Sequence, residues 1–237
     1  MSTILPLRTD NRDRSFPWVT TGLIVANVLV FLYELAIGDR VEGLIETFGT
    51  VPLAISTGHS VAAPEPAVPF GYPYVTLFTS MFLHGGWLHL LGNMLFLWVF
   101  GQNVEDAFGH GYYLLFYLVC GVLASLAQVM VSPESTVLSL GASGAISGVL
   151  GAYLVLFPLA HVRSLVRIGW VVLLPSIPAY LMLGGWFVLQ LLSSLASQGA
   201  SAETGGVAYS AHVGGFVVGF AWGRLYRARH KMAVVEA

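Results

Sequence analysis

The residues of this sequence that could do chemistry are four polar side chains set within apolar segments: His89, Asn93, Ser143 and His212. A serine hydroxyl is a weak nucleophile until a neighbouring base takes its proton, and histidine is the side chain best suited to do so near neutral pH. The tetrahedral intermediate of acyl transfer also needs donors aimed at its oxyanion. We therefore predict that Ser143 and His212 form a catalytic dyad, and that the Ser143 backbone N–H, His89 and Asn93 stabilise the oxyanion.

A metal site is the competing chemistry for the same histidines. His84, His89 and His212 offer three nitrogen atoms, which is a common ligand number for catalytic zinc. The sequence has no His-Glu-x-x-His motif and no carboxylate close to these residues, and His84 precedes a Gly85-Gly86 turn. We therefore predict no metal and no other cofactor.

The segments that position these residues have the composition of membrane spans. Of the 237 residues, 56% are hydrophobic and 9% are charged, whereas about 25% are charged in soluble domains. A spanning helix needs about 20 mostly apolar residues. The sequence therefore predicts an all-α polytopic bundle with six transmembrane helices, near 18–37, 83–104, 111–131, 137–160, 168–192 and 207–226.

The basic residues predict the orientation of this bundle. In the six-span arrangement Arg40 alone, of the ten Lys and Arg residues, falls on the opposite side from the rest. Because basic residues concentrate in cytoplasmic loops, both termini are expected to be cytoplasmic. The chain would then comprise an N-terminal segment at 1–17, a membrane domain at 18–227 and a C-terminal tail at 228–237. The net charge of −2 gives no indication of a nucleic-acid partner.

The predicted topology places the four polar side chains at one depth. The second, fourth and sixth spans run in the same direction, and each polar group lies roughly five residues, or about 8 Å, from the outer end. Glu34 and Glu105 fall near span ends, so no carboxylate is expected at that depth. Two glycine stripes would bring the fourth and sixth spans together and let Ser143 meet His212; their members are Gly144, Gly148, Gly151, Gly215, Gly219 and Gly223.

The connections between the spans carry further expectations. The long outer connection at 38–82 is rich in proline, and its apolar end at 74–83 is too short to cross and is expected to be interfacial. Pro175 and Pro178 are expected to bend the fifth span. The small, polar loop at 193–206 is a candidate mobile lid.

Four motifs taken together resemble the rhomboid intramembrane serine proteases over about residues 17–227. They are His84-Gly-Gly-Trp-Leu-His89-Leu-Leu-Gly-Asn93, Gly101…Val104-Glu105…Phe108-Gly109, Gly141-Ala-Ser143-Gly144 and Ala211-His212-Val-Gly-Gly215-Phe-Val-Val-Gly219. The resemblance implies that Ser143 is the nucleophile and His212 its base, and that His89 and Asn93 help to hold the oxyanion. It implies structural roles for Glu105, which would stabilise the second span by hydrogen bonding, and for Gly141 and Gly144, which would allow close backbone approach.

The resemblance also implies a substrate and a route to the site. The substrate would be a transmembrane helix, unwound near its outer end and cut within or beside the bilayer. The fifth span and the loop after it would form a gate, on which Trp186 and Phe187 are either gate-face residues or ordinary core. One turn after the nucleophile some members carry an aromatic residue that packs on the histidine, and this chain has Ser147 there.

Three functions are weighed from the sequence. The first is an intramembrane serine protease whose partners are transmembrane proteins in a lipid bilayer. The second is a non-proteolytic rhomboid-like protein that binds transmembrane helices for quality control; such members typically lose the serine or the histidine, and this chain keeps both. The third, a transporter or lipid-handling bundle, is disfavoured because the sequence has no evident repeat and no charge in mid-membrane. A bacterial cell membrane is the expected location, since no organelle transit peptide is visible.

Overall fold

The computed structural model of the chain describes residues 3–11, 15–59, 72–168, 170–197 and 208–230. Within these residues the chain forms ten α-helices and four β-strands. Short 3₁₀ turns lie at Gly38–Arg40 and Ser80–Phe82, and a π-helical turn at Leu97–Gly101 joins two of the helices. In chain order the elements are β1 (Thr3–Thr9), α1 (Trp18–Ala36), α2 (Val41–Phe48), α3 (Pro52–Thr57), α4 (Thr76–Thr79), α5 (Trp87–Phe96), α6 (Gln102–Phe108), α7 (His110–Val131), α8 (Ser143–Leu156), β2 (His161–Ile168), β3 (Val171–Leu173), β4 (Ser176–Pro178), α9 (Ala179–Ser197) and α10 (Tyr209–His230).

The apolar helices are those of a membrane protein. Helices α1, α7 and α9 are each long and apolar enough to cross a bilayer. A fourth candidate is a bent pair, Thr76–Phe82 and Trp87–Phe108, whose two parts meet at 95°. Helix α8 is apolar but only 14 residues long, shorter than the roughly 20 residues of an ordinary span. The chain is thus a mostly helical membrane protein, and the six-span count and the orientation of the termini stay predictions.

Helix α8 lies at the centre of the fold. Of its 14 residues, 11 are buried, because small side chains let the neighbouring helices approach its backbone closely. A Cβ added to Gly219 of α10 would collide with the carbonyl oxygen of Gly148 in α8, and one added to Gly215 would collide with that of Gly144. The two predicted glycine stripes therefore face each other.

A four-stranded antiparallel sheet corrects the all-α expectation. Strand β1 pairs with β2, and β2 pairs with both β3 and β4. The registers place Ile4 opposite Val166 and Val162 opposite Ile177. The predicted N-terminal segment thus contributes a strand, and the fold combines apolar helices with a small sheet.

The sheet also corrects the predicted fifth span. Residues 171–178 belong to β3, β4 and the turn between them, and α9 begins only at Ala179. Pro175 and Pro178 therefore precede the helix and do not bend it. Mean hydropathy does not separate a strand from a helix. Between 168 and 178, β-branched residues favour strands, and the prolines disfavour a continuous helix.

Other predicted boundaries shift because the chain bends at the ends of its helices. Residues 83–86 form the corner before α5, so the second span starts at Trp87, and α8 is shorter than the predicted 137–160. The outer connection contains α2, α3 and α4, and its residues 60–71 lie outside the described part. Residues 193–197 of the predicted lid belong to α9. The rest of the predicted lid, 198–206, lies outside the described residues.

Glu105 ties three helices together at one end of the fold. Its fully buried carboxylate accepts hydrogen bonds from the backbone N–H groups of Val19 at 2.8 Å and Thr20 at 2.7 Å, and it contacts His110 Nδ1 at 2.6 Å. The first turn of α1 has unpaired N–H groups, and a carboxylate there satisfies them and complements the helix dipole. The expected hydrogen-bonding role of Glu105 therefore acts on α1 as well as on the second span.

We expect Glu105→Ala to lower the free energy of unfolding by about 2–4 kcal/mol, because it leaves buried donors without an acceptor. Thermal or denaturant unfolding in detergent measures this. Asp106→Ala is the matched control, since Asp106 accepts hydrogen bonds from Ser15 at an exposed position. Equal losses in the two variants would contradict the capping role.

Candidate active site

Ser143 and His212 meet at one end of the contact between α8 and α10. Ser143 is the first residue of α8, and His212 lies in the first turn of α10. The Oγ atom of Ser143 lies 2.7 Å from Nε2 of His212. The facing glycines below them hold the two backbones at this separation, so packing in the bundle fixes the distance between a hydroxyl and a base.

The turn that leads into Ser143 is held by the outer connection. Gly141 has φ +115°, a backbone conformation that side chains with a Cβ rarely adopt. Its N–H donates to the Ser80 carbonyl oxygen at 2.8 Å. Thr50 pairs with Ser139 in an isolated β-bridge and donates its hydroxyl proton to Ser80 Oγ at 2.9 Å. The outer connection thus sets the position of the turn that leads into Ser143.

His89 and Asn93 line the same turn from α5. A Cβ added to Gly141 would lie 2.7 Å from two ring atoms of His89 and 3.5 Å from Asn93 Nδ2. The Nδ2 group of Asn93 is buried and makes no hydrogen bond within the part of the chain that the structure describes. The N-terminus of α8 adds the positive end of a helix dipole beside Ser143. Two polar side chains and a helix terminus therefore surround the turn at Gly141, two residues before Ser143.

We expect Gly141→Ala to reduce activity by at least about 100-fold, since a displacement near 1 Å of positioned groups has that effect. The new methyl group would strike the His89 ring and would strain a positive-φ residue. The measurement is the rate of substrate cleavage in detergent. Gly92→Ala on α5 is the control, because its Cβ would meet nothing within 4 Å; activity at the wild-type level in Gly141→Ala would refute the close packing.

Glu34 and His84 support the corner before α5, and the sequence alone did not point to this pairing. The Glu34 carboxylate is buried and accepts the backbone N–H of His84 at 3.2 Å. The His84 ring packs edge-on against His89, with 5.1 Å between ring centroids. Across the described residues, no group of three or more His, Cys, Asp or Glu side chains is placed to hold a metal ion.

The other ring nitrogen of His212, Nδ1, is hydrogen-bonded to Gln190, a residue that the sequence analysis did not identify. Nδ1 lies 2.8 Å from Oε1 of Gln190 on α9. Trp186, one turn earlier on α9, has its ring centroid 6.0 Å from that of His212, and Phe187 stacks on Phe216 at 4.5 Å. Ser147, one turn after Ser143 on α8, donates its hydroxyl proton to the Ser143 carbonyl oxygen at 2.7 Å. A search for a polar residue one turn after Trp186 would have found Gln190.

Chemically, this arrangement contains the parts that acyl transfer needs. A hydroxyl lies within hydrogen-bonding distance of an imidazole nitrogen, and the other nitrogen of that ring is held by an amide oxygen. His89 and Asn93 lie beside the turn at Gly141, two residues before this hydroxyl. The sequence-predicted residues Ser143, His212, His89, Asn93 and Gly141 thus lie together, whereas Glu105 lies within α6, next to the start of α1.

Comparison with known proteins gives consistent matches. A sequence profile of the Rhomboid domain matches residues 73–229. The chain is 32% identical over 157 residues to RHOMBOID-like protein 6, mitochondrial, from Arabidopsis thaliana, covering 58% of this chain and 50% of the relative. It is 26% identical over 230 residues to RHOMBOID-like protein 1 of the same plant, covering 90% and 54%. It is also 47% identical over 78 residues to Rhomboid protease GluP of Bacillus subtilis, covering 33% and 15%. The chain therefore spans about half the length of these plant relatives.

Proposed function

The chain belongs to the rhomboid family, and on that premise we propose that it is an intramembrane serine endopeptidase with Ser143 as nucleophile and His212 as general base. The observation that carries the proposal is the 2.7 Å separation of Ser143 Oγ and His212 Nε2. A free serine is a poor nucleophile, and an adjacent base is what activates it. Similarity to Rhomboid protease GluP, which is named as a protease, supports the same reaction.

The reaction proceeds in two halves. Ser143 Oγ attacks the carbonyl carbon of the scissile bond while His212 Nε2 takes its proton. The oxyanion accepts hydrogen bonds from the Ser143 N–H and the side chains of His89 and Asn93. His212 then gives the proton to the leaving amine, and an acyl-enzyme forms on Ser143. Water, deprotonated by His212, releases the second product and restores the hydroxyl.

The substrate in this proposal is a transmembrane helix, cut near the outer face of the membrane. Six spans with both termini cytoplasmic would place the first turns of α8 and α10 on that side, because the basic residues gather at the opposite end. The three apolar helices α1, α7 and α9 support a multi-pass membrane protein. The relatives described above come from one plant and one bacterium, and one of the plant proteins is mitochondrial by name. They therefore give no support to the bacterial cell membrane, which stays an expectation from the sequence.

A reconstituted cleavage assay tests this function. The purified protein is placed in liposomes with a single-span test substrate that carries a different tag at each end, and the products are analysed by mass spectrometry. We expect one cut near the outer end of the helix and no cut after treatment with a serine-directed fluorophosphonate. A substrate that is bound but never cut would contradict the proposal and favour the helix-binding alternative.

A further inference from the structure

Resting on the proposed function, we infer that Gln190 is the positioning residue of the base: it holds His212 in the tautomer that can accept the Ser143 proton. His212 Nδ1 lies 2.8 Å from Gln190 Oε1, while its Nε2 lies 2.7 Å from Ser143 Oγ. The two contacts engage both nitrogens of one imidazole ring.

The direction of these hydrogen bonds follows from their chemistry. A neutral imidazole has one N–H donor and one acceptor nitrogen. The amide oxygen of Gln190 only accepts, so Nδ1 carries the hydrogen and Nε2 is left with a lone pair towards Ser143. In the other tautomer Nε2 would carry the hydrogen and could not take the proton of the serine. Gln190 therefore selects the reactive form.

An amide is a weaker partner than the carboxylate of a serine triad. It fixes the tautomer and the orientation of the ring, as a triad carboxylate does, but it provides no negative charge beside the imidazolium that forms. Gln190, a neutral side chain, thus takes the geometric role of the third triad member, which is to orient the imidazole.

Gln190 belongs to a stripe of inward-facing residues on α9. Trp186, Gln190 and Ser194 are spaced by four residues and so share one face of the helix. Trp186 packs near His212, and Ser194 shares a hydrogen bond of 2.8 Å with Ser210 of α10. Leu189 and Leu192, which lie between these residues in the sequence, are apolar and exposed, with exposed fractions of 63% and 58%. Gln190 is therefore a polar amide on a mostly apolar helix, and its side chain is directed at the base.

The placement of Gln190 on α9 has a consequence for the reaction. Ser143 and His212 are carried by α8 and α10, so the dyad gains its third contact only when α9 packs against α10. The orientation of the base, and with it kcat, depends on a helix that carries neither reacting group.

The test compares Gln190→Leu with wild type in the liposome assay. We expect kcat to fall by about 10- to 100-fold with KM within about twofold, since orientation of the base rather than substrate binding is lost. The rate of modification by a small fluorophosphonate, which does not require entry of a helix, should fall in parallel. Leu189→Ala, at a neighbouring exposed position of α9, is the control for general damage to the helix and should retain the wild-type kcat.

Gln190→Glu serves as the conservative variant. Its carboxylate has the same length and accepts the same Nδ1 hydrogen, so it should recover at least about fivefold of the kcat lost in Gln190→Leu. Unchanged kcat and unchanged fluorophosphonate reactivity in Gln190→Leu, with an active wild type, would overturn this inference alone. An inactive wild type would overturn the proposed function, and this inference with it.

Discussion

Ser143→Ala is expected to lower the rate of substrate cleavage by at least about 10³-fold, and His212→Ala by a similar factor. In the proposed mechanism the two side chains act as one unit: the hydroxyl is the nucleophile, and the imidazole 2.7 Å away takes its proton. Loss of either leaves only the contribution of the oxyanion donors. The double variant should therefore be no slower than the single variants, and initial rates in liposomes measure this.

Ser147→Ala is the matched control for Ser143→Ala. Its hydroxyl lies one turn further along α8 and is hydrogen-bonded to the Ser143 carbonyl oxygen. Both substitutions remove one hydroxyl from the same helix, so Ser147→Ala should keep cleavage within about threefold of wild type while losing one local hydrogen bond. Cleavage that survives in Ser143→Ala would remove the basis for the dyad.

Gly219→Val should be the most damaging substitution away from the reacting groups. Its side chain would enter the backbone of α8 at Gly148, so α10 would have to move away. Overpacking of this kind lowers the free energy of unfolding by about 3 kcal/mol or more. Because α10 carries His212, we also expect at least about a 100-fold loss of cleavage in the protein that remains folded.

Thermal unfolding in detergent, followed by the cleavage assay on the folded fraction, measures both effects. Gly22→Val in α1 is the control, because a Cβ at Gly22 would meet nothing within 4 Å. It should change the free energy of unfolding by no more than about 1 kcal/mol, since valine and glycine have similarly modest helix propensities. A Gly219→Val protein as stable and as active as Gly22→Val would contradict the helix contact.

Hydropathy and small-residue spacing predicted the parts of the fold that depend on local composition. Residues 18–37 and 111–131 agree with α1 and α7 within one residue at each end, because long apolar runs without breaks have few alternatives to a helix. The glycines of the fourth and sixth spans face each other as expected. Their period identifies one face of a helix, and a face without side chains lets a neighbouring backbone approach closely.

The sequence did not predict features that depend on partners distant in the chain. The apolar run beginning at Ile168 is predicted from the sequence as a helix, whereas β3 and β4 within it pair with β2. Strand β2 in turn pairs with β1, more than 150 positions earlier, and a pairing over that distance has no local signal. Gln190 was missed for a similar reason. A serine triad would have a carboxylate at the depth of His212, and the sequence offers none there. In the structure an amide on a different helix, that of Gln190, is hydrogen-bonded to the ring instead.

The most direct test of the central claim is the site of covalent modification by a serine-directed fluorophosphonate, located by peptide mass spectrometry. We predict one adduct, on Ser143, formed by wild type and absent from both Ser143→Ala and His212→Ala. Such a result would show that this hydroxyl is nucleophilic and that His212 makes it so. An adduct on another residue, or labelling of Ser143 at an undiminished rate in His212→Ala, would contradict the account.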